Sequence, residues 1–151
     1  MIREAQPGDV DVIAELYERS FGTLMFLPML HTLEEHRVWF GRVVDEEEVW
    51  VWEEDGLILA FIGLGEDMVN YLYVEPETTG RGIGSALLEH AKGRRPAGFT
   101  LWTFQQNMRA RRFYERHGLS VVRLTDGEDN EERTPDALYV WRPDCMADPR
   151  V

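Results

Sequence analysis

Apolar and polar positions follow two rhythms along this chain, and each change of rhythm marks an element. Met1 to Ala5 opens as a strand. Asp9 or Asp11 can cap a helix whose apolar face is Val10, Ile13, Leu16 and Tyr17. The period is lost from Thr23 to Leu30, an apolar run with Pro28 that predicts a loop or short helical turn. Thr32 and Glu35 form a capping box, so a second helix starts there and runs through Val38, Trp39 and Phe40. Glu48 to Glu53 and Leu57 to Leu64 read as strands, joined by a hairpin turn at Glu54, Asp55 and Gly56. Gly65, Glu66 and Asp67 make the next turn, and Met68 to Glu75 is a third consecutive strand. Pro76, with no N–H to donate, ends it.

Beyond Pro76 the period becomes helical, with Ile83, Leu87, Leu88 and Ala91 on one face until Gly93 and Pro96 stop the chain. Phe99 to Phe104 is a strand. Asn107 caps a helix carrying Ala110, Phe113, Tyr114 and His117, and Gly118 ends it. Leu119 to Leu124, an acidic loop over 126–136 and Ala137 to Arg142 complete the series. An antiparallel meander is thus followed by two strand–helix crossovers, which call for some parallel pairing. The expectation is one domain over residues 1–143 and a loose tail at 144–151.

At 151 residues, 44% hydrophobic and 29% charged, the chain suits one soluble domain with one core. No apolar stretch is long enough to span a membrane, and the polar start is unlike a signal peptide, so a cytoplasmic protein is expected. The single cysteine, Cys145, cannot build a disulfide or a metal cluster alone, and no metal is expected. A net charge of −12 argues against general nucleic-acid binding. That charge is uneven: residues 81–116 carry eight basic and two acidic side chains, a local +6 that leaves −18 on the rest. One segment suits an anion, although helix arginines can equally be a solvated face.

The basic segment begins at a glycine turn. Gly80, Gly82 and Gly84 alternate with Arg81 and Ile83 between a strand and a helix. Such a turn leaves N–H groups free at the positive end of the helix dipole, a natural phosphate site. It is not a nucleotide P-loop, because no Lys follows Gly82 or Gly84. It is not the dinucleotide fingerprint either: three residues beyond those glycines stand Ser85 and Leu87. Taken alone, the turn is compatible with structure-only chemistry.

A second motif narrows the reading. Asn107, Ala110, Phe113, Tyr114, Glu115, Gly118 and Leu119, together with Val74-Glu75-Pro76 and Thr79-Gly80-Arg81-Gly82-Ile83-Gly84, resemble the paired motifs of the GNAT superfamily of N-acetyltransferases. Thr79 departs from the Arg or Gln usual at its position. The resemblance implies an α/β (α+β) fold, a central mixed, mostly antiparallel sheet of about seven strands flanked by about four helices. It implies acetyl-CoA as the cofactor. The pantetheine would lie along Leu72, Tyr73 and Val74. The phosphates would meet Thr79, Gly80, Arg81, Gly82, Ile83, Gly84 and Ser85, with Asn107, Ala110, Phe113 and Tyr114 beside them. It also implies Tyr114 as the general acid that protonates the departing thiolate. A phenol, with an ordinary pKa of about 10, is protonated at pH 7 and suits that part.

The nucleophile would be a primary amine, which must first lose a proton. Counting back in twos from Leu72 puts Asn70, Met68 and Glu66 on one strand face. Asn70 can orient a water or the acceptor, and Glu66 is the nearest carboxylate of that parity. Phe26, His31 and Glu35 are candidate acceptor walls, and the acidic run Asp126, Glu128, Asp129, Glu131 and Glu132 can attract a cation. The expected partner is a small cationic amine acceptor; monomer and homodimer both remain open. A silent acyl-CoA-binding sensor is the competing expectation, motivated by the missing obvious base.

Overall fold

The structure, a computed structural model, describes residues 1–143, so the expected tail at 144–151 lies outside the described residues. In chain order it contains β1 (Ile2–Glu4), α1 (Val10–Phe21), α2 (Leu33–Glu46), β2 (Glu48–Glu54), β3 (Leu57–Leu64), β4 (Val69–Val74), α3 (Ile83–Arg94), β5 (Phe99–Phe104), α4 (Met108–Arg116), β6 (Ser120–Thr125) and β7 (Asp136–Trp141). Strands β1 to β4 form an antiparallel meander in sequence order, and β5, β7 and β6 form a second antiparallel sheet in that order. The expected mixture of seven strands and four helices is present, with the sheet divided in two.

Strand alternation explains how both faces of the first sheet are covered. Val49, Val51 and Phe61 turn to one face and pack with Ile13, Leu16 and Phe40 of α1 and α2. Ala60, Ile62 and Leu64 turn to the other and pack with Leu87, Leu88 and Ala91 of α3. That second cluster continues into the second sheet through Leu101 and Tyr139.

The two sheets touch at a single parallel bridge between Met68 and Thr100, where the Thr100 N–H donates to the Asp67 carbonyl at 3.0 Å. Beyond it β4 and β5 part. The parallel pairing expected of the first crossover is reduced to that one contact. The second crossover gives none, because β7 inserts between β5 and β6, antiparallel to each.

The local signals act unevenly. Thr32 Oγ1 accepts from the Glu35 N–H at 3.2 Å while Glu35 accepts from the Thr32 N–H at 2.9 Å, the reciprocal box that starts α2. Asn107 Oδ1 accepts from the Ala110 N–H at 3.2 Å and starts α4. Asp9, expected to cap α1, makes no side-chain cap there. Its carboxylate accepts instead from the Gln6 N–H at 2.7 Å and from Arg3 at 2.9 Å, bracing the turn before the helix. A bulge at Gly63/Leu64 pairs Gly63 with Tyr71 but Leu64 with Val69. Strict alternation therefore fails below Tyr71: Val69, rather than Asn70, is buried in the same cluster as Leu72.

Glu48 ties the start of β2 to the end of α3. Its carboxylate accepts from Arg94 Nε at 2.6 Å, Trp50 Nε1 at 2.8 Å and Arg95 Nη1 at 3.2 Å. The Arg94 bond above all, aided by Trp50 and Arg95 against some desolvation, holds its pKa down to about 2. A carboxyl lowered in the folded state adds stability above its unfolded value, and that stability is lost as pH falls through the folded value. Glu48→Gln is therefore expected to cost roughly 1–3 kcal/mol at pH 7. The deficit should shrink between about pH 4.5 and 2, as thermal melts across that range would record.

Candidate active site

The parting of β4 and β5 opens a cavity of about 510 Å³. One wall is β4 from Val69 to Val74, paired with β3 on its other side, so the cavity-facing edge keeps backbone N–H and C=O groups with no strand partner. The opposite wall is Leu101 to Phe104 of β5. Ser20, Thr23 and Leu24, at and beyond the end of α1, line the cavity on one side of the sheet. Ala110, Phe113 and Tyr114 of α4 and the start of α3 line it on the other. The cavity thus passes between the sheets from one face to the other.

The glycine turn forms the α3 end. Gly80 and Gly82 have φ of +89° and +84°, the left-handed region where a side chain is strained. Gly82 is the N-cap of α3, and the first intrahelical bond runs from the Ala86 N–H to the Gly82 carbonyl at 3.0 Å. The N–H groups of Ile83, Gly84 and Ser85 precede that bond and remain free of the helix ladder. Gly84 packs closely: a Cβ there would touch Val74 at 3.4 Å and Phe113 at 3.5 Å, at van der Waals contact.

Most of the residues expected at a cofactor site line this one cavity: Leu72, Tyr73 and Val74 on β4; Thr79, Gly80, Gly82, Ile83, Gly84 and Ser85 at the turn; Asn107, Ala110, Phe113 and Tyr114 on α4. Arg81 is not among the lining residues; its guanidinium lies on the Glu54 carboxylate, at 2.8 and 3.0 Å. Much of the basic surplus is engaged in the same way: Arg94 and Arg95 on Glu48, Lys92 on Glu89. Arg109 and Arg116 do line the cavity and have no ion-pair partner among the described residues. With Phe113 they fall at i, i+4 and i+7, a helical spacing legible in the sequence that was read only as net charge.

Tyr114 lines the cavity at 8% exposure, and burial pushes its pKa up to about 12. Its hydroxyl has no hydrogen-bond partner among the described residues, so it is available to a ligand. Tyr73 is raised well above an ordinary phenol, first by burial and then by its neighbours Tyr17, Tyr114 and Tyr71 and the Glu132 carboxylate. No aspartate, glutamate or histidine lines the cavity among the described residues. Asn70 does line it, with its amide donating to Glu47 Oε1 at 2.8 Å. Glu66 is an exposed turn residue outside it.

Phe26, His31 and Glu35 do not line the cavity either, but two of them reach the far side of its mouth. The Phe26 ring meets Phe104 edge-on, with centroids 6.2 Å apart, and His31 bonds Glu131 in the acidic loop between β6 and β7. Glu35 is spent on the α2 cap. A second cavity of about 430 Å³ shares Trp102, Thr103 and Phe104 with the first and adds Asp129 and Glu132 from that loop and Asp136 at the start of β7. Asp136 is engaged by Thr125 and Asn130; the Glu132 carboxylate has no side-chain partner among the described residues.

Comparison with known proteins agrees with this geometry. The family model for the acetyltransferase (GNAT) domain matches residues 45–119. Peptidyl-lysine N-acetyltransferase YiaC of Escherichia coli (strain K12) is 31% identical over 149 residues, covering 93% of this chain and 96% of its own length. Peptidyl-lysine N-acetyltransferase YjaB of Salmonella typhimurium is 33% identical over 131 residues, 85% of this chain and 88% of its own. Among solved structures, apo YjaB from Escherichia coli superposes with a TM-score of 0.77 at 24% identity, over 93% of this chain and 96% of its own. YncA of Salmonella typhimurium, solved with its cofactor acetyl-CoA, gives 0.74 at 19%, over 94% and 92%.

The left-handed turn makes one demand that can be measured directly. No atom lies within 4 Å of a Cβ built at Gly82, so any penalty there is conformational rather than steric. Gly82→Ala should cost roughly 1–2 kcal/mol in thermal or urea unfolding. Gly8→Ala, equally unobstructed and without a left-handed φ, serves as the near-neutral control.

Proposed function

Because this chain belongs to the GNAT superfamily of N-acetyltransferases, and is therefore an acyltransferase, we propose that its central cavity holds acetyl-CoA against a cationic primary amine for direct transfer in a ternary complex. The observation that carries this reading is the convergence of the glycine turn, the unpaired edge of β4 and Tyr114 on one cavity. The pyrophosphate takes the N–H groups at the start of α3 and the charges of Arg109 and Arg116. The pantetheine amides pair with the free edge of β4. The thioester then lies in the notch near Tyr114.

The amine nitrogen attacks the thioester carbon, the C–S bond breaks, and the sulfur takes its proton from the Tyr114 hydroxyl. The tyrosine is restored by the proton that the amine gives up. A buried phenol near pKa 12 is fully protonated at neutral pH, but it is a weaker acid than an ordinary thiol at about 8.5. Burial raises the thiol as well, which narrows the gap. Tyr114 therefore acts first as a hydrogen-bond donor to the growing thiolate and transfers its proton late.

A lysine-like amine, of pKa about 10.4, is neutral to only roughly 0.04% at pH 7. With no carboxylate or histidine lining the cavity among the described residues, the proton leaves through water. Asn70 is suited to orient that water. Glu66, exposed at its turn, has no part in this reading. Glu132, beyond the shared wall of Trp102 to Phe104, draws the cation toward the mouth. The relatives named as peptidyl-lysine acetyltransferases favour a lysine side chain, free or in a peptide, as the acceptor.

The test is thiol release from acetyl-CoA over a panel of amines and lysyl peptides. Tyr114→Phe should bind coenzyme A normally and lower kcat by about 100-fold; an unchanged kcat would remove Tyr114 from the chemistry. Binding of coenzyme A with no thiol release on any amine would instead favour a sensor.

Glu132 is checked separately. Glu132→Gln should lower kcat/KM for a cationic amine about three- to tenfold and leave coenzyme A affinity alone. The loss should fade at high salt, as screening requires.

A further inference from the structure

His117 follows α4 and reaches back to α3. Its Nε2 lies 2.9 Å from Ser85 Oγ and its Nδ1 3.3 Å from Glu89 Oε2. The imidazole is 19% exposed and packs on Phe113, with ring centroids 4.7 Å apart. Ser85 belongs to the first turn of α3 and lines the cavity beside the glycine turn. The charged groups in contact with His117 both come from α3: Glu89 at Nδ1, and Lys92, whose ammonium donates to the His117 carbonyl at 2.7 Å and holds Glu89 at 2.9 Å. Arg116, its chain neighbour, lines the cavity.

This arrangement fixes which way hydrogens point. Glu89 is paired with Lys92 and is held below the ordinary carboxylate range chiefly by that bond, so it accepts only. Nδ1 must therefore carry a proton. In the neutral ring Nε2 is then a lone pair, and the Ser85 hydroxyl donates to it. Ser85 turns only lone pairs to the cavity. In the imidazolium, Nε2–H donates to Ser85 Oγ, and the hydroxyl hydrogen is released to point elsewhere. A phosphate oxygen accepts and never donates, so it can use only the second state.

We propose that His117 is a positioning residue for the cofactor: acting through Ser85, it turns a hydroxyl donor onto the pyrophosphate only when it is itself protonated, so cofactor binding and proton uptake at His117 are coupled. The inference rests on the reading of the cavity as a coenzyme A site. By reciprocity, the phosphate that favours the protonated ring must draw a proton to it on binding.

The experiment is calorimetric titration of the intact protein near neutral pH in buffers of different ionisation enthalpy. Dephospho-coenzyme A is the probe, because its pyrophosphate diester does not titrate there, whereas the extra phosphomonoester of coenzyme A does. Wild type should take up a fraction of a proton on binding and lose affinity by up to about tenfold between about pH 5 and about pH 8. Ser85→Ala should bind more weakly and take up none. His117→Gln, whose amide can donate to Ser85 Oγ, and His117→Phe, which removes the acceptor that ties up the Ser85 hydroxyl, should both bind with little pH dependence and without the proton uptake of wild type. No uptake by wild type, or uptake undiminished in Ser85→Ala, overturns the proposal while leaving the coenzyme A site standing. Failure of both coenzyme A and its dephospho form to bind overturns that site and the proposal with it.

Discussion

One backbone bridge, Met68–Thr100, joins the edges of two sheets that share a core and lets those edges separate immediately afterwards. Everything that distinguishes the centre of this molecule follows from the separation. Had β4 and β5 continued as a parallel pair, their N–H and C=O groups would have satisfied one another and the interior would be closed. Because they part, an edge of β4 stays open inside the protein rather than at its rim, where exposed edges ordinarily have to be guarded. The flanking clusters stabilise the gap: Leu72 and Val74 are anchored towards α3, Tyr71 and Tyr73 towards α1 and α2. Arg19 of α1 clamps Glu75, just beyond β4, with contacts of 2.6 to 3.1 Å.

Charge is distributed to suit that opening. Half of the basic side chains between residues 81 and 116, namely Arg81, Lys92, Arg94 and Arg95, are paired at the surface with Glu48, Glu54 and Glu89, which fasten α3 and its entry turn to the meander and to the end of α4. What faces the cavity is a row of backbone N–H groups at a helix start, supplemented by two arginines on α4. Fixed backbone dipoles need no reorganisation when a ligand arrives, which suits a site that must hold one end of a long molecule in register with chemistry at the other.

Much of this was legible in the sequence, and the exceptions share a cause. The capping box at Thr32, the Asn107 cap and the glycine turn at 80 and 82 are local devices whose geometry is complete within a few residues, and they act as their sequence predicts. The features that local patterning does not place depend on partners far along the chain. Asp9 was diverted from capping α1 by Arg3, and Arg81 was drawn from the turn by Glu54. The alternation that aligned Glu66 and Asn70 with Leu72 broke at a bulge set by register with β3. The acceptor side was hardest to foresee, because Phe26 meets Phe104 and His31 meets Glu131 across 78 and 100 residues of chain, with no periodic signal to announce either contact.

A cavity that pierces the sheet has two doors. Ser20, Thr23 and Leu24 stand at one and the glycine turn at the other, on opposite faces of the same layer. In the proposed reaction the two substrates need not queue. A nucleotide-bearing donor can remain seated at the helix end while acceptors come and go past the aromatic and acidic mouth. Traffic through one entrance then leaves the other undisturbed, and the chemistry is confined to the short stretch where the two passages meet.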